Sequence, residues 1–278
     1  MLMRVEDLDG PRVKPGAAAA LLEELAWLGL EWERPVVYQS ARADAYRRAL
    51  DELARRQLAY PCTCSRKDAA SAGGAPHAED GVDVYPGTCR GRYSSAADAL
   101  AQAGRAPAWR LKVEAAPIEF TDAFAGPQRI DLSAACGDFV ICKSDGLAAY
   151  QLAVVVDDAA GGVDAVVRGD DLLESAARQI FLRRLLGLAP EPTYWHLPLV
   201  VGPDGLRLAK RHGDTRMSHY RKLGAAPQRI LGLLGYWCGL LDARRETDMA
   251  GLLNLFDLAR LPRHRIVFGT EDDRFLRS

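Results

Sequence analysis

The sequence predicts an α/β fold built on a divided parallel sheet, and three observations lead there. Strand-like runs alternate with helix-patterned stretches at both ends of the first 200 residues, around Met1 to Leu28 and Val163 to Gly187. An antiparallel piece is inserted between them, marked by the Asp145-Gly146 turn signal. From Thr215 onward the pattern is helical.

Met1 to Val5 read as a short apolar strand that runs into Glu6, Asp7 and Asp9 before a Gly10-Pro11 turn. Acids at the carboxyl end of a strand sit where open α/β sheets dock their ligands, so RVEDLD marks a candidate site. Pro15 to Leu28 has helical spacing and ends at Gly29, a natural C-cap. A second helix spans about Arg42 to Arg56 behind Ser40 as N-cap, with Arg47, Arg48, Arg55 and Arg56 on a solvated face. LAYPCTC is strand-like, and residues 65–84 are Ala, Gly and Asp rich without periodicity, as in a surface loop. Ser94 is placed to cap a short helix, AWRLKV and IEF read as strands, and FVICKSDGLAAYQ reads as a hairpin.

YQLAVVVDDAAGG fits a helix or a buried strand equally, because periodicity cannot separate them in so apolar a run. Val163 to Val167 is predicted as a buried strand, followed by a helix whose start carries Asp171 and Glu174 in a capping-box arrangement. HLPLVV reads as another buried strand, and MSHYRKLG, PQRILGLLGYWCGLL and MAGLLNLF as helices. No internal repeat is visible.

At 278 residues, 49% hydrophobic and 26% charged, the chain has an ordinary globular composition with room for a large core. No run approaches the apolar length of a membrane span, and no basic-then-apolar leader opens it, so a soluble cytoplasmic protein is expected. The formal net charge of −1 means that any nucleic-acid contact must rest on a local patch. Of the 36 basic residues, thirty are arginine, a bias better explained by GC-rich coding than by phosphate recognition. Cys136, Cys142 and Cys238 stand in apolar surroundings as small hydrophobes, and disulfides are not expected.

Three constellations carry chemistry. YPCTC and YPGTC place Cys62, Cys64 and Cys89 as three soft ligands, with the Tyr85 phenolate or a water completing a tetrahedron. That set favours Zn²⁺ over three inert thiols. In GPDGLRLAKRHGDT, Lys210 lies on a small-residue loop suited to neutralising phosphates, although alone it reads as a basic surface loop. In VVRGDDLL, Arg168 leaves a strand end where it could clamp a carboxylate or pair with Asp170 and Asp171, an even choice.

In this order RVEDLD, YPCTC with YPGTC, AYQLAVVVDD, VVRGDDLL and RLAKRHG resemble the catalytic core of the class I glutamyl-tRNA synthetase family along almost the whole chain. The best match is the family's short form, which lacks the anticodon-binding domain, activates L-glutamate with ATP without tRNA, and passes it to the queuosine base of tRNA(Asp). The resemblance implies a split Rossmann-like sheet: residues 1–60 and 137–201 form its halves. Residues 61–136 would be a zinc-binding and acceptor-binding insertion, and 202–278 a KMSKS-like loop with a helical stem-contact module. It also implies that Glu6, Tyr150 and Arg168 contact glutamate and that Lys210 binds ATP. Cys62, Cys64, Tyr85 and Cys89 would hold one Zn²⁺ in a monomer that uses ATP with Mg²⁺.

Family members place a strand and loop resembling R-F-A-P-S-P and an H-x-G-H-like signature ahead of the R-x-E-D-x-D strand. None of His77, His196, His212, His219 and His264 lies in such a context. Each missing oxyanion-type donor is worth about 10² to 10³ in rate, so feeble or absent turnover is expected of the sequence as it stands. A start codon assigned too far downstream would account for this. The alternatives are a catalytic fragment charging tRNA(Glu) and a non-catalytic RNA- or protein-binding remnant.

Overall fold

The computed structural model describes residues 1–278 apart from Asp9, Pro11, Arg12, Arg66, Lys67, 69–83, Ala115 and 209–211. Among the described residues it contains three two-stranded parallel pairs, one three-stranded antiparallel sheet and one hairpin. β1 (Arg4–Val5) pairs with β2 (Val37–Tyr38), and β8 (Ala165–Gly169) with β9 (Thr193–Leu197). β10 (Val200–Val201) pairs with β11 (Ile266–Val267).

HLPLVV is therefore two strands with different partners. Pro198 between them has no N–H to give a ladder, and the chain changes sheet there. The tail is likewise not wholly helical, since β11 lies within it. The expected burial of β8 also fails: Val167 is 63% exposed.

The antiparallel sheet runs β3 (Ala59–Cys62), β4 (Ala108–Leu111), β7 (Phe139–Cys142), so the stretch 61–136 shares its backbone ladder with both flanks. β5 (Ile118–Asp122) and β6 (Gly126–Ile130) form the hairpin. At the predicted Asp145-Gly146 turn, Gly146 has φ 84° and the Lys143 N–H donates to the Leu147 carbonyl at 2.8 Å.

The first helices are α1 (Ala17–Trp27), α2 (Ala43–Arg55), α3 (Ala96–Ala103) and α4 (Leu132–Ala135). Two of the predicted caps are displaced by competing bonds. A 3₁₀ turn, Gln39–Arg42, precedes α2, and the Ser40 N–H and hydroxyl both donate to Asp7 instead of capping. Ser95, not Ser94, caps α3 by accepting from the Asp98 N–H.

α5 (Tyr150–Gly161) settles the ambiguous run as a helix, buried on most sides by the main core of Leu152, Ala153, Val155, Ile180 and Leu182. α6 (Leu173–Leu185) packs beside it, but no side chain caps it. Asp171 pairs with Arg207 at 2.9 Å, so the expected capping box does not form.

α7 (Met217–Lys222), α8 (Pro227–Trp237), α9 (Met249–Leu255) and α10 (Thr270–Arg277) build a second core around Tyr220, Leu233 and Phe268. α1 joins that core through Trp27 and Leu28, so the first helix packs on the tail and not on the main core. All six cysteines are free. Among the described residues no helix is long and apolar enough to cross a membrane.

Candidate active site

α5 and the hairpin before it anchor β1 and the chain that leaves it. Arg4 donates to Asp158 at 2.6 Å, Lys143 just before α5 donates to the Leu8 carbonyl at 2.5 Å, and Gly10 lies beside Leu147. Glu6 lies between these anchors, exposed, with a long 3.5 Å contact to Arg4. Tyr150 is the first residue of α5 and 38% exposed.

Asp157, one turn from the end of α5, accepts from Gln39 (2.9 Å), Arg42 (2.5 Å) and Tyr46 (2.8 Å), binding the β2–α2 junction to the same helix. A cavity of about 590 Å³ opens between the β1 exit, α2 and the β7 hairpin, and Glu6, Tyr150 and Arg168 are not among the residues that line it. Asp7, Tyr46, Arg47, Trp109 and Lys143 are among the residues that line it.

Gln151, the residue after Tyr150, is connected to Arg168 through the Gln179 amide. Gln179 on α6 donates to Gln151 at 2.9 Å and accepts from Arg168 Nη1 at 2.9 Å. Arg168 also donates from Nε to His196 Nε2 (2.9 Å) and from Nη2 to the Leu172 carbonyl (3.2 Å). The alternative of pairing with Asp170 or Asp171 is not taken. Asp170 instead faces Arg265 at 3.7 Å. A guanidinium has five N–H donors. Three are used among the described residues, which leaves one on each Nη for an incoming carboxylate.

His196 is only 1% exposed, and its Nδ1 lies 2.6 Å from Asp122, also 1% exposed. Burial is the largest influence on His196 and pushes its pKa below the usual value, partly opposed by the Asp122 bond. Burial also works against the Asp122 carboxylate, yet bonds from the Ala125 N–H, the His196 ring and the His196 and Phe124 N–H groups hold its pKa below the usual carboxylate range.

Both groups bind protons less readily folded than unfolded, so stability must fall as pH falls. The His196 share is complete above about pH 6.5 and is withdrawn below it; the Asp122 share follows only below about pH 3.9. Urea midpoints should therefore decline on acidification below about pH 6.5, and less so in His196→Gln.

The cysteine cluster is assembled from two elements. Cys62 ends β3, Cys64 follows it, and Tyr85 and Cys89 come from the turn that starts at 84. Tyr85 is fixed at its backbone: its N–H donates to the Cys136 carbonyl at 3.1 Å, and its carbonyl lies where a Cβ on Gly137 (φ 62°) would come within 2.3 Å. Only glycine fits at 137. The Arg110 guanidinium covers the Tyr85 ring at 3.7 Å. Buried Asp138 accepts from Tyr60 (2.6 Å), the Val113 N–H (2.8 Å) and Arg90 (2.9 Å), which ties the residue after Cys89 to the antiparallel sheet.

The three sulfurs lie within 4.8 Å of one another, with Cys64 and Cys89 3.5 Å apart. The Tyr85 oxygen is 3.2 Å from Cys62 Sγ and 3.5 Å from Cys64 Sγ. A zinc tetrahedron of three sulfurs and one oxygen has edges of roughly 3.8 Å (S to S) and 3.5 Å (S to O). The Cys64–Cys89, Tyr85–Cys62 and Tyr85–Cys64 separations lie within about 0.3 Å of those edges, so the donor set is compatible with that ion. Burial pushes the Cys64 thiol up to about 11. Burial also acts to raise Cys89, but hydrogen bonds from Tyr85, the Thr63 backbone and the neighbouring thiols outweigh it and bring it down to about 7.

Lys210 lies outside the described residues. The His212 ring rests against Gly202, where a Cβ would be 2.4 Å from Nε2, and its Nε2 is 3.0 Å from Asp204.

Cys62, Cys64, Tyr85 and Cys89 thus come together at the end of β3, whereas Glu6 follows β1, Tyr150 opens α5 and Arg168 lies on β8, with no hydrogen bond or ion pair joining the three among the described residues. Sequence reasoning missed the residues that hold them. Asp157 and Asp158 carried a signal, two acids closing an apolar run that must find partners if buried. Asp122, His196 and Gln179 carried none.

Residues 1–269 match the family model for the catalytic domain of class I tRNA synthetases for glutamate and glutamine (E and Q). The chain is thus built on the catalytic domain of a class I synthetase, with parallel strand pairs in a mixed α/β fold. A glutamyl-Q tRNA(Asp) synthetase of Symbiobacterium thermophilum is 44% identical over 275 residues, covering 95% of this chain and 84% of its own. One from Geobacter sulfurreducens is 51% identical over 223 residues, covering 80% and 68%. The chain belongs to the glutamyl-Q tRNA(Asp) synthetase family, whose members are ligases.

The glutamate-tRNA synthetase of Elizabethkingia anophelis superposes with a TM-score of 0.80 at 22% identity, over 99% of this chain and 62% of that one. A glutamate tRNA ligase from Elizabethkingia meningosepticum, solved in complex with its amino acid, gives 0.78 at 22%, over 99% and 61%. The chain spans about three fifths of each of these solved chains, and at such identity they bear on the fold alone.

Proposed function

We propose that the protein activates L-glutamate with ATP and Mg²⁺ without tRNA and transfers it to the queuosine base of tRNA(Asp). The observation that carries this reading is Arg168, fixed by three bonds with one N–H left on each Nη, a fork matched to a carboxylate. Glu6 would meet the glutamate ammonium group, Tyr150 would contact the same substrate, and Lys210 would steady the ATP phosphates. In the first step a glutamate carboxylate oxygen attacks the α-phosphorus of ATP and pyrophosphate leaves. In the second a cyclopentene hydroxyl of queuosine attacks the activated carbonyl, giving an ester and AMP. The cavity of about 590 Å³ lined by Asp7, Arg47 and Lys143 is of the size of ligand pockets and would be open to a bulky acceptor.

The same reading takes residues 1–60 and 137–201 as the catalytic halves, 61–136 as the zinc- and acceptor-binding insertion, and 202–278 as the ATP loop and stem-contact module. It takes the protein as a cytoplasmic monomer. Glutamate-dependent ATP–pyrophosphate exchange by the complete gene product, followed by transfer of labelled glutamate to tRNA(Asp) with and without queuosine, tests it. Exchange that requires tRNA(Glu), or label on an acceptor end, would establish the alternative of tRNA(Glu) charging. Absence of exchange with intact RNA binding would favour the non-catalytic alternative.

One Zn²⁺ held by Cys62, Cys64, Cys89 and Tyr85 is part of the proposal, supported by the fit of the donor set. Its work would be structural, closing the turn at 85–89 onto β3. Cys89→Ser should lower zinc to well below one per chain and reduce the unfolding midpoint; undiminished metal by atomic absorption would mean that the ligands are misassigned.

A further inference from the structure

We propose that Asp122 and His196 are positioning residues for substrate binding, a buried pair that fixes the tautomer of the imidazole so that its Nε2 lone pair orients the Arg168 guanidinium toward a substrate carboxylate. This rests on the reading of Arg168 as the glutamate clamp. The argument begins with an asymmetry: an arginine Nε–H can only donate. It lies 2.9 Å from His196 Nε2, so that nitrogen must present a lone pair. A neutral imidazole with its lone pair on Nε2 carries its proton on Nδ1, which lies 2.6 Å from Asp122 Oδ2.

Asp122 is held in turn. Its Oδ1 accepts from the N–H groups of Ala125 (2.6 Å), Phe124 (3.0 Å) and His196 itself (3.2 Å), so the carboxylate keeps its charge and cannot rotate. The relay therefore reads in one direction, from backbone amides through a carboxylate and an imidazole to the guanidinium. The Gln179 and Leu172 contacts hold the Nη atoms, and the His196 contact at Nε fixes the rotation of the plane.

A purely structural pair and a positioning pair are separated by which ring nitrogen is kept. Asparagine places its amide near Nδ1 and can keep the Asp122 bond, but it cannot reach Arg168. Glutamine reaches the Nε2 position and can supply an acceptor there. L-glutamate is titrated calorimetrically into the wild type, His196→Asn, His196→Gln and Arg168→Ala, with unfolding midpoints measured in parallel.

Positioning predicts that His196→Asn weakens glutamate binding by roughly tenfold or more, as loss of an outer orienting partner does. His196→Gln should stay within a few fold of wild type. Wild-type affinity in a folded His196→Asn, or equal weakening in both variants at equal midpoints, overturns the proposal. Wild-type affinity in Arg168→Ala would overturn the clamp reading and the relay with it, whereas loss there without loss in His196→Asn overturns the relay alone.

Discussion

Replacing Arg168 with alanine is expected to weaken glutamate binding by at least about a hundredfold and to abolish glutamate-dependent exchange at moderate substrate concentrations. Each charge-assisted hydrogen bond to a carboxylate is worth about 1.5–3 kcal/mol, so a two-bond fork contributes roughly 3–6 kcal/mol, or about 10² to 10⁴ in affinity. The variant also strands the acceptors on His196, Gln179 and Leu172, at a smaller expense of about 1 kcal/mol because the half-buried site admits water. Binding should therefore fall far more than stability. Arg168→Lys should rescue little. An ammonium has no planar fork, and it cannot donate at once to His196, Gln179 and a ligand. Exchange kinetics with saturating ATP give the split, and an unchanged KM for glutamate in Arg168→Ala would refute the clamp.

How much of this was legible in the sequence follows from how far apart the partners lie. The thiols could be read because Cys62-x-Cys64 and Tyr85-x-x-x-Cys89 put ligand types at local spacings, and the chain brings them together. Arg168 stands out because a strand end followed by small and acidic residues is a local pattern. Its support could not be read, since His196 is 28 residues further on and Asp122 lies 74 residues before His196, on a hairpin with no motif. Secondary structure shows the same limit. α1 has helical spacing in the sequence, but only the structure shows that its end, Trp27 and Leu28, joins the core of the tail. Ser40 has the chemistry of an N-cap, yet Asp7, 33 residues before it, outcompetes the helix for its hydroxyl.

The second large effect is expected at Asp157, a residue that touches none of the proposed ligand contacts. Its carboxylate is the common acceptor for Gln39 (2% exposed), Arg42 and Tyr46, and Arg4 lies 3.9 Å away. Asp157→Ala leaves those donors facing an apolar methyl, and breaking a buried ion pair from one side costs about 3–5 kcal/mol. Arg42 retains some access to water, which puts the expectation near the lower end, at about 3–4 kcal/mol. The loss should appear as a lower urea midpoint. It should also appear in function, because the donors freed are those that hold the β2–α2 junction against α5, and β2 is the strand that β1 pairs with. Glu6 leaves β1 two residues beyond Arg4, so its position depends on that seam. Asp157→Ala in low urea, where the protein remains folded, should thus bind glutamate more weakly, and Asp157→Asn, which keeps one acceptor oxygen, should recover part of both losses. Full affinity in a destabilised Asp157→Ala would show that Glu6 is held by its own strand pairing with β2 and not by the α5 seam.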